Sequence, residues 1–150
     1  YINYINHRVN KTEKVALIAT VATAHSERFK ALVEKYDPTH EVEIFPLADL
    51  AMLIENYKNI DWKKIDEELS VLMNRNIDKL ILGCTHYPLI KKHIESYLDL
   101  NTIDPNGAVV NHIANILKLE KGQSQAFFRF NFEDSWQGDI SLPLIEDTYE

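Results

Sequence analysis

The sequence predicts an α/β protein, a three-layer sandwich with a mostly parallel central sheet and helices on both faces. Three observations predict it. Residues 15–19 and 79–82 form short apolar runs of the kind that parallel strands buried on both faces show. Several other stretches repeat apolar residues at helical spacing. Strand-like and helix-like segments alternate almost throughout, which is the pattern of crossovers onto a parallel sheet.

Taken in order, residues 1–12 are polar with scattered aromatics and read as the tail of a helix. Residues 15–19 are the first strand, and the small residues 20–24 a loop. A helix follows over residues 26–36, with Phe29, Leu32, Val33 and Tyr36 as its apolar face, and Asp37-Pro38 ends it. Residues 41–45 alternate charged and apolar side chains, as a strand near a sheet edge would. Residues 47–57 are helical in pattern, with Leu50, Leu53, Ile54 and Tyr57 recurring together. Asp61 is an N-cap candidate for the next helix, whose buried side is read as Trp62, Ile65, Leu69, Leu72 and Met73. The strand at 79–82 leads to a helix read from His86 to Leu98, with Leu89, Ile90, His93, Ile94, Tyr97 and Leu98 on one face. A short strand at 101–104, a turn at 105–107, a helix marked by Val109, Val110, Ile113, Ala114 and Leu117, and a strand at 126–132 complete the pattern. The last eighteen residues read as acidic and irregular. Trp136, Leu142, Leu144 and Ile145 are too apolar for a free tail, so some of them are expected to dock.

The length of 150 residues suits one domain with a real core. The net charge of -7 argues against nucleic-acid binding, because no basic stripe is available to neutralise phosphates. No apolar run approaches membrane-spanning length, so no membrane contact is expected. The single cysteine excludes an intrachain disulfide framework and fits a reducing, cytoplasmic setting. There is no glycine-rich phosphate loop and no Cys-x-x-Cys pair, so neither a nucleotide cofactor nor a metal is expected.

Chemistry concentrates in Gly83-Cys84-Thr85-His86-Tyr87-Pro88-Leu89, between the strand at 79–82 and the helix after it. In an open α/β sheet this is the carboxyl edge, where ligands bind. A thiol facing a helix N-terminus is favoured as thiolate. A lone cysteine is more commonly a small buried hydrophobe, and His86 alone could simply satisfy a helix end; their place at the strand-to-helix junction turns the weight toward function. Two residues apart on one tight turn is a poor geometry for a Cys–His nucleophile pair, although another histidine could serve. Proton transfer at carbon remains, since a thiolate that accepts a proton becomes a thiol that donates one. Glu55 is the carboxylate best placed to hold His86, although on the residues alone it reads as a solvated helix-end group.

The Gly83–Leu89 stretch resembles the second cysteine motif of glutamate racemases, within the cofactor-independent aspartate/glutamate racemase superfamily. Three flanks agree with it. Ala19-Thr20-Val21-Ala22-Thr23 followed by Ser26 is similar to that family's threonine-rich strand-loop-helix, with alanines where glycines are common. Met52-Leu53-Ile54-Glu55 resembles the segment carrying the family's functional glutamate, with methionine where proline is frequent. Ile103-Asp104 and Ala108-Val109 resemble the return segment, with Pro105 where a serine is common.

The resemblance implies inversion of an amino acid's α-carbon, without cofactor or metal, by two cysteines on opposite faces of the substrate. Cys84 would be one of the two. His86 would assist it and, with Thr85, contact the glutamate substrate, and Glu55 would be the partner of His86. The implied product is D-glutamate for cell-wall peptidoglycan, made in the cytoplasm. The family's aspartate-serine-glycine motif and its other cysteine motif are not in this sequence. The chain therefore reads as a second half: 1–14 the remnant of an inter-domain crossover, 15–105 the domain with the second cysteine motif, and 106–150 a segment returning toward the missing first domain. That domain is the expected partner, with a homodimer as a further one, and the chain alone is expected not to racemise. An aspartate or hydantoin racemase, or a non-catalytic binding or dimerisation module that kept the fold, are the alternatives.

Overall fold

The computed structural model describes residues 12–118 together with the backbone of 128–132 and 135–140. Four parallel strands form the main sheet in the order β2-β1-β3-β4: β1 (Val15–Thr20), β2 (Val42–Leu47), β3 (Lys79–Leu82) and β4 (Asn101–Ile103). β1 and β3 pair at the centre, Leu17 with Ile81 and Ile18 with Leu82. Their side chains alternate between two cores. Ala16, Ile18, Leu80 and Leu82 face one, and Val15, Leu17, Ala19 and Ile81 the other. This two-sided burial is why neither strand shows polar alternation. β2 is an edge strand, as its charge alternation predicts, and runs on through Pro46, whose missing N–H an edge tolerates.

The helices are fixed by local caps and by their apolar faces. The residues read as a loop at 20–24 instead form α1 (Val21–His25), because Thr20 Oγ1 accepts from the Thr23 amide at 3.2 Å and caps it. α2 (Glu27–Tyr36) starts at Ser26, whose hydroxyl accepts from the Phe29 amide at 3.2 Å. The buried Asp37 carboxylate ends α2 and starts β2 by accepting from the amides of Glu41 at 2.8 Å and Val42 at 3.1 Å. α3 (Leu50–Glu55) is shorter than its pattern predicts, because β2 continues to Leu47. α4 (Trp62–Leu69) is capped by Asp61, as read from the sequence, and a 3-10 turn (Ser70–Leu72) follows it. Leu50, Ile54, Ile65 and Leu69 are buried in one core, each worth about 1.5–3 kcal/mol relative to exposure.

On the side of α4 and its 3-10 extension read as buried, Trp62 is 43% and Met73 47% exposed. Trp62 packs its ring at 4.4 Å from the His93 imidazole on the surface. The helix read from His86 to Leu98 is broken in two. A 3-10 segment (Tyr87–Ile90) comes first, then α5 (Lys91–Leu98), which Asp99 ends with a left-handed φ of 51°. Pro88 lacks an amide hydrogen to continue an α-helical ladder. Tyr87, Pro88 and Ile90 turn inward while Leu89 points outward, 55% exposed.

α6 (Asn106–Leu117) begins within the residues read as a turn. β5 (Phe128–Phe132) and β6 (Ser135–Ile140) pair antiparallel, so the stretch read as irregular holds a strand. Inter-residue contacts divide the chain into two compact units, Tyr1–Val109 and Val110–Glu150. The helix-tail reading of the first residues and the expected docking of Leu142, Leu144 and Ile145 lie outside the described residues. No helix among the described residues is long and apolar enough to cross a membrane.

Candidate active site

The pairing of β1 with β3 brings the ends of both strands to one edge of the sheet. Gly83 continues the ladder there, its amide donating to the Ile18 carbonyl at 2.8 Å. The approach leaves no room for a side chain: a Cβ at Gly83 would stand 2.5 Å from that carbonyl oxygen. The chain then turns through Cys84, Thr85 and His86, and the Tyr87 amide donates back to the Cys84 carbonyl at 3.2 Å.

This turn folds the imidazole of His86 over the thiol, with Nδ1 at 3.5 Å from Cys84 Sγ. The sequence reading of a poor geometry for this pair is therefore corrected. The spacing of two works because the turn closed by the Tyr87 amide on the Cys84 carbonyl brings the ring back to the sulfur. The helix N-terminus nearest the thiol is that of the 3-10 segment, which starts at Tyr87 after its N-cap His86; the α-helix α5 starts only at Lys91.

On its other side, His86 Nε2 lies 2.9 Å from Glu55 Oε1, at the end of α3. Glu55 is 64% exposed and His86 33%, so the pair sits at the mouth of the edge. An ionised carboxylate only accepts, which assigns the proton of a neutral His86 to Nε2 and leaves the Nδ1 lone pair facing the thiol. Proton transfer from Sγ to Nδ1 then yields a thiolate beside an imidazolium that the carboxylate stabilises. This is the logic of a nucleophile or base oriented through histidine by a third group.

Three of the residues singled out from the sequence, Cys84, His86 and Glu55, thus form one line. Thr85 is exposed on the same turn. Thr20 and Thr23 stand at the end of β1 on this edge, their hydroxyls 2.9 Å apart. The sequence reading used them only as part of a motif. The signal that singles them out is a Thr-x-x-Thr spacing at the carboxyl end of the strand beside β3. Beneath the turn, Tyr87 is fully buried, and its hydroxyl has no hydrogen-bond partner among the described residues. Burial first, then the negative charges of Cys84 and Glu68, push its phenol well above the ordinary range. Among the described residues, no group of three or more His, Cys, Asp or Glu is placed to hold a metal ion.

Known proteins place this edge in context. A glutamate racemase of Shewanella frigidimarina is 31% identical over 93% of this chain and 60% of its own length. One of Sulfurihydrogenibium is 34% identical over 93% of this chain and 58% of its own. The chain thus spans about 60% of the length of these relatives. Among solved structures, a Francisella tularensis glutamate racemase in complex with D-glutamate is 31% identical, with a TM-score of 0.58 over 82% of this chain and 49% of that one. An Escherichia coli glutamate racemase, with L-glutamate and an activator bound, shares the fold at a TM-score of 0.64, 22% identity, and coverage of 77% and 46%. Residues 4–113 match the family described as Asp/Glu/Hydantoin racemase. On that match, and on relatives that share nearly a third of its residues, the chain belongs to the Asp/Glu/Hydantoin racemase family.

Proposed function

We propose that this chain is one half of a cofactor-independent glutamate racemase, and that Cys84 is the acid/base on one face of the substrate. The observation that carries the reading is the line Cys84–His86–Glu55 at the carboxyl edge of a parallel sheet. In this reading the Cys84 thiolate takes the α-proton and a thiol on the opposite face returns one, inverting the carbon. The chain has one cysteine, so the second sulfur comes from a domain outside it. His86 receives the Cys84 proton at Nδ1, and Glu55 fixes its tautomer. Thr85 and His86 contact the amino acid. The names of the relatives, and the D-glutamate bound in the 31% identical structure, support glutamate as substrate. D-glutamate for peptidoglycan, made in the cytoplasm, is the role this reading assigns.

The test is a chimera in which this chain replaces the matching part of the Shewanella frigidimarina enzyme. The expected result is interconversion of L- and D-glutamate, with solvent deuterium entering at the α-carbon, and its loss in Cys84→Ser. A folded chimera that works only on aspartate or a hydantoin would overturn the substrate. One that races glutamate equally well without Cys84 would overturn the mechanism.

A further inference from the structure

α3, the helix that carries Glu55, is only six residues long. A helix under two turns has no stability of its own and stays where tertiary contacts hold it. Leu50 and Ile54 bury its inner face. Its N-cap residue, Asp49, makes no side-chain cap bond. The Asp49 amide instead donates to Glu68 Oε2 of α4 at 3.2 Å, reaching nineteen positions along the chain. At the other end, the Glu55 carboxylate meets His86 at 2.9 Å. The Glu68 charge also contributes to the raised pKa of Tyr87, the residue after His86. One carboxylate therefore bears on both the start of α3 and the turn that presents the imidazole.

We propose that Glu68 is a positioning residue for this site: by anchoring the amide of Asp49, the N-cap of α3, it sets where Glu55 meets His86 Nε2, and so which imidazole nitrogen carries the proton while Nδ1 faces Cys84. The lever is short. Six residues span about 9 Å, so a tilt of roughly 10° at the anchored end moves Glu55 by about 1.5 Å. Directed along the contact, that shift lengthens the 2.9 Å separation by about half and carries it out of hydrogen-bond range. The proposal rests on the reading of Cys84, His86 and Glu55 as acid/base machinery.

The test is nitrogen-15 NMR of the histidines in the 150-residue chain above pH 8, with the His86 signals identified by their loss in His86→Gln. Wild type is expected to hold His86 as the Nε2–H tautomer. Glu68→Ala should raise the other tautomer about threefold, as Glu55→Ala does. Glu68→Gln, which keeps an oxygen for the Asp49 amide, should restore the wild-type pattern, a rescue that a purely electrostatic role would not give. Should Glu68→Ala not fold, Glu68→Asp carries the same expectation, because its reach is shorter by about 1.5 Å. A folded variant with the wild-type tautomer overturns the proposal. If Glu55→Ala responds and the Glu68 variants do not, only the role of Glu68 falls. If Glu55→Ala is also silent, the reading of the site itself falls.

Discussion

Replacing Gly83 with alanine tests whether the candidate site is built on a backbone contact that no side chain can enter. The added Cβ would stand 2.5 Å from the Ile18 carbonyl oxygen and 3.1 Å from Leu17 Cδ2. Relief requires β1 and the turn to part, and the oxygen in the way is the one that accepts the Gly83 amide at 2.8 Å. The lost hydrogen bond costs about 1 kcal/mol, and strain in a packed core adds about 1–3. The sum is about 3 kcal/mol, or a fall in melting temperature of roughly 10 °C for a chain of this size. Gly107→Ala is the control, since a Cβ there meets nothing within 4 Å. It lies near the start of α6 and should lose nothing, gaining up to about 1 kcal/mol from helix propensity. Urea titrations of both variants at unchanged m-value decide the matter. Equal midpoints for Gly83→Ala and wild type would refute the account of the turn.

Tyr87→Phe at neutral pH should leave stability unchanged or raise it by about 1 kcal/mol, because the buried hydroxyl it removes has no partner among the described residues. The pH dependence has a definite sign. Burial holds the phenol above its ordinary value of 10.0, so above pH 10 the unfolded chain ionises while the folded chain does not. The wild-type protein should therefore lose stability as pH rises through that point, and Tyr87→Phe should lose less, measured by urea midpoints at pH 9 and 11. Parallel slopes would count against a buried phenol. Alkylation of Cys84 by iodoacetamide reads one thiol only, because the chain has no other cysteine. Its rate at pH 7.5 should fall about tenfold in His86→Gln and about threefold in Glu55→Gln. Unchanged rates would mean that the imidazole does not act on the sulfur.

The central strands were legible because burial on both faces leaves an apolar run in the sequence, as Leu80-Ile81-Leu82 does. The edge position of β2 was legible in its alternating charges. The helix after His86 was not. Its periodicity is real, but Pro88 and the inward turn of Tyr87 and Ile90 break it into a 3-10 segment and α5. α1 was missed because its cap, Thr20, reads equally well as the last residue of a strand. The outward turn of Trp62 and Met73 was also hidden, since spacing alone cannot say that an aromatic ring will lie on a surface histidine. At the site, the residue types were readable but their distances were not. Nothing in a spacing of two tells how far a turn will fold an imidazole back over a thiol. The contact between Glu55 and His86 joins residues thirty-one positions apart through the placement of α3.

Pro46 has a consequence for how these molecules meet one another. The free flank of β2 is the natural place for a neighbour's strand to add itself and start an indefinite ladder. A prolyl ring there offers no amide to such a visitor, and Arg75 caps the side chain of Glu43 on the same strand at 3.4 Å. One imino acid thus interrupts any ladder that a neighbour's strand could build along this border.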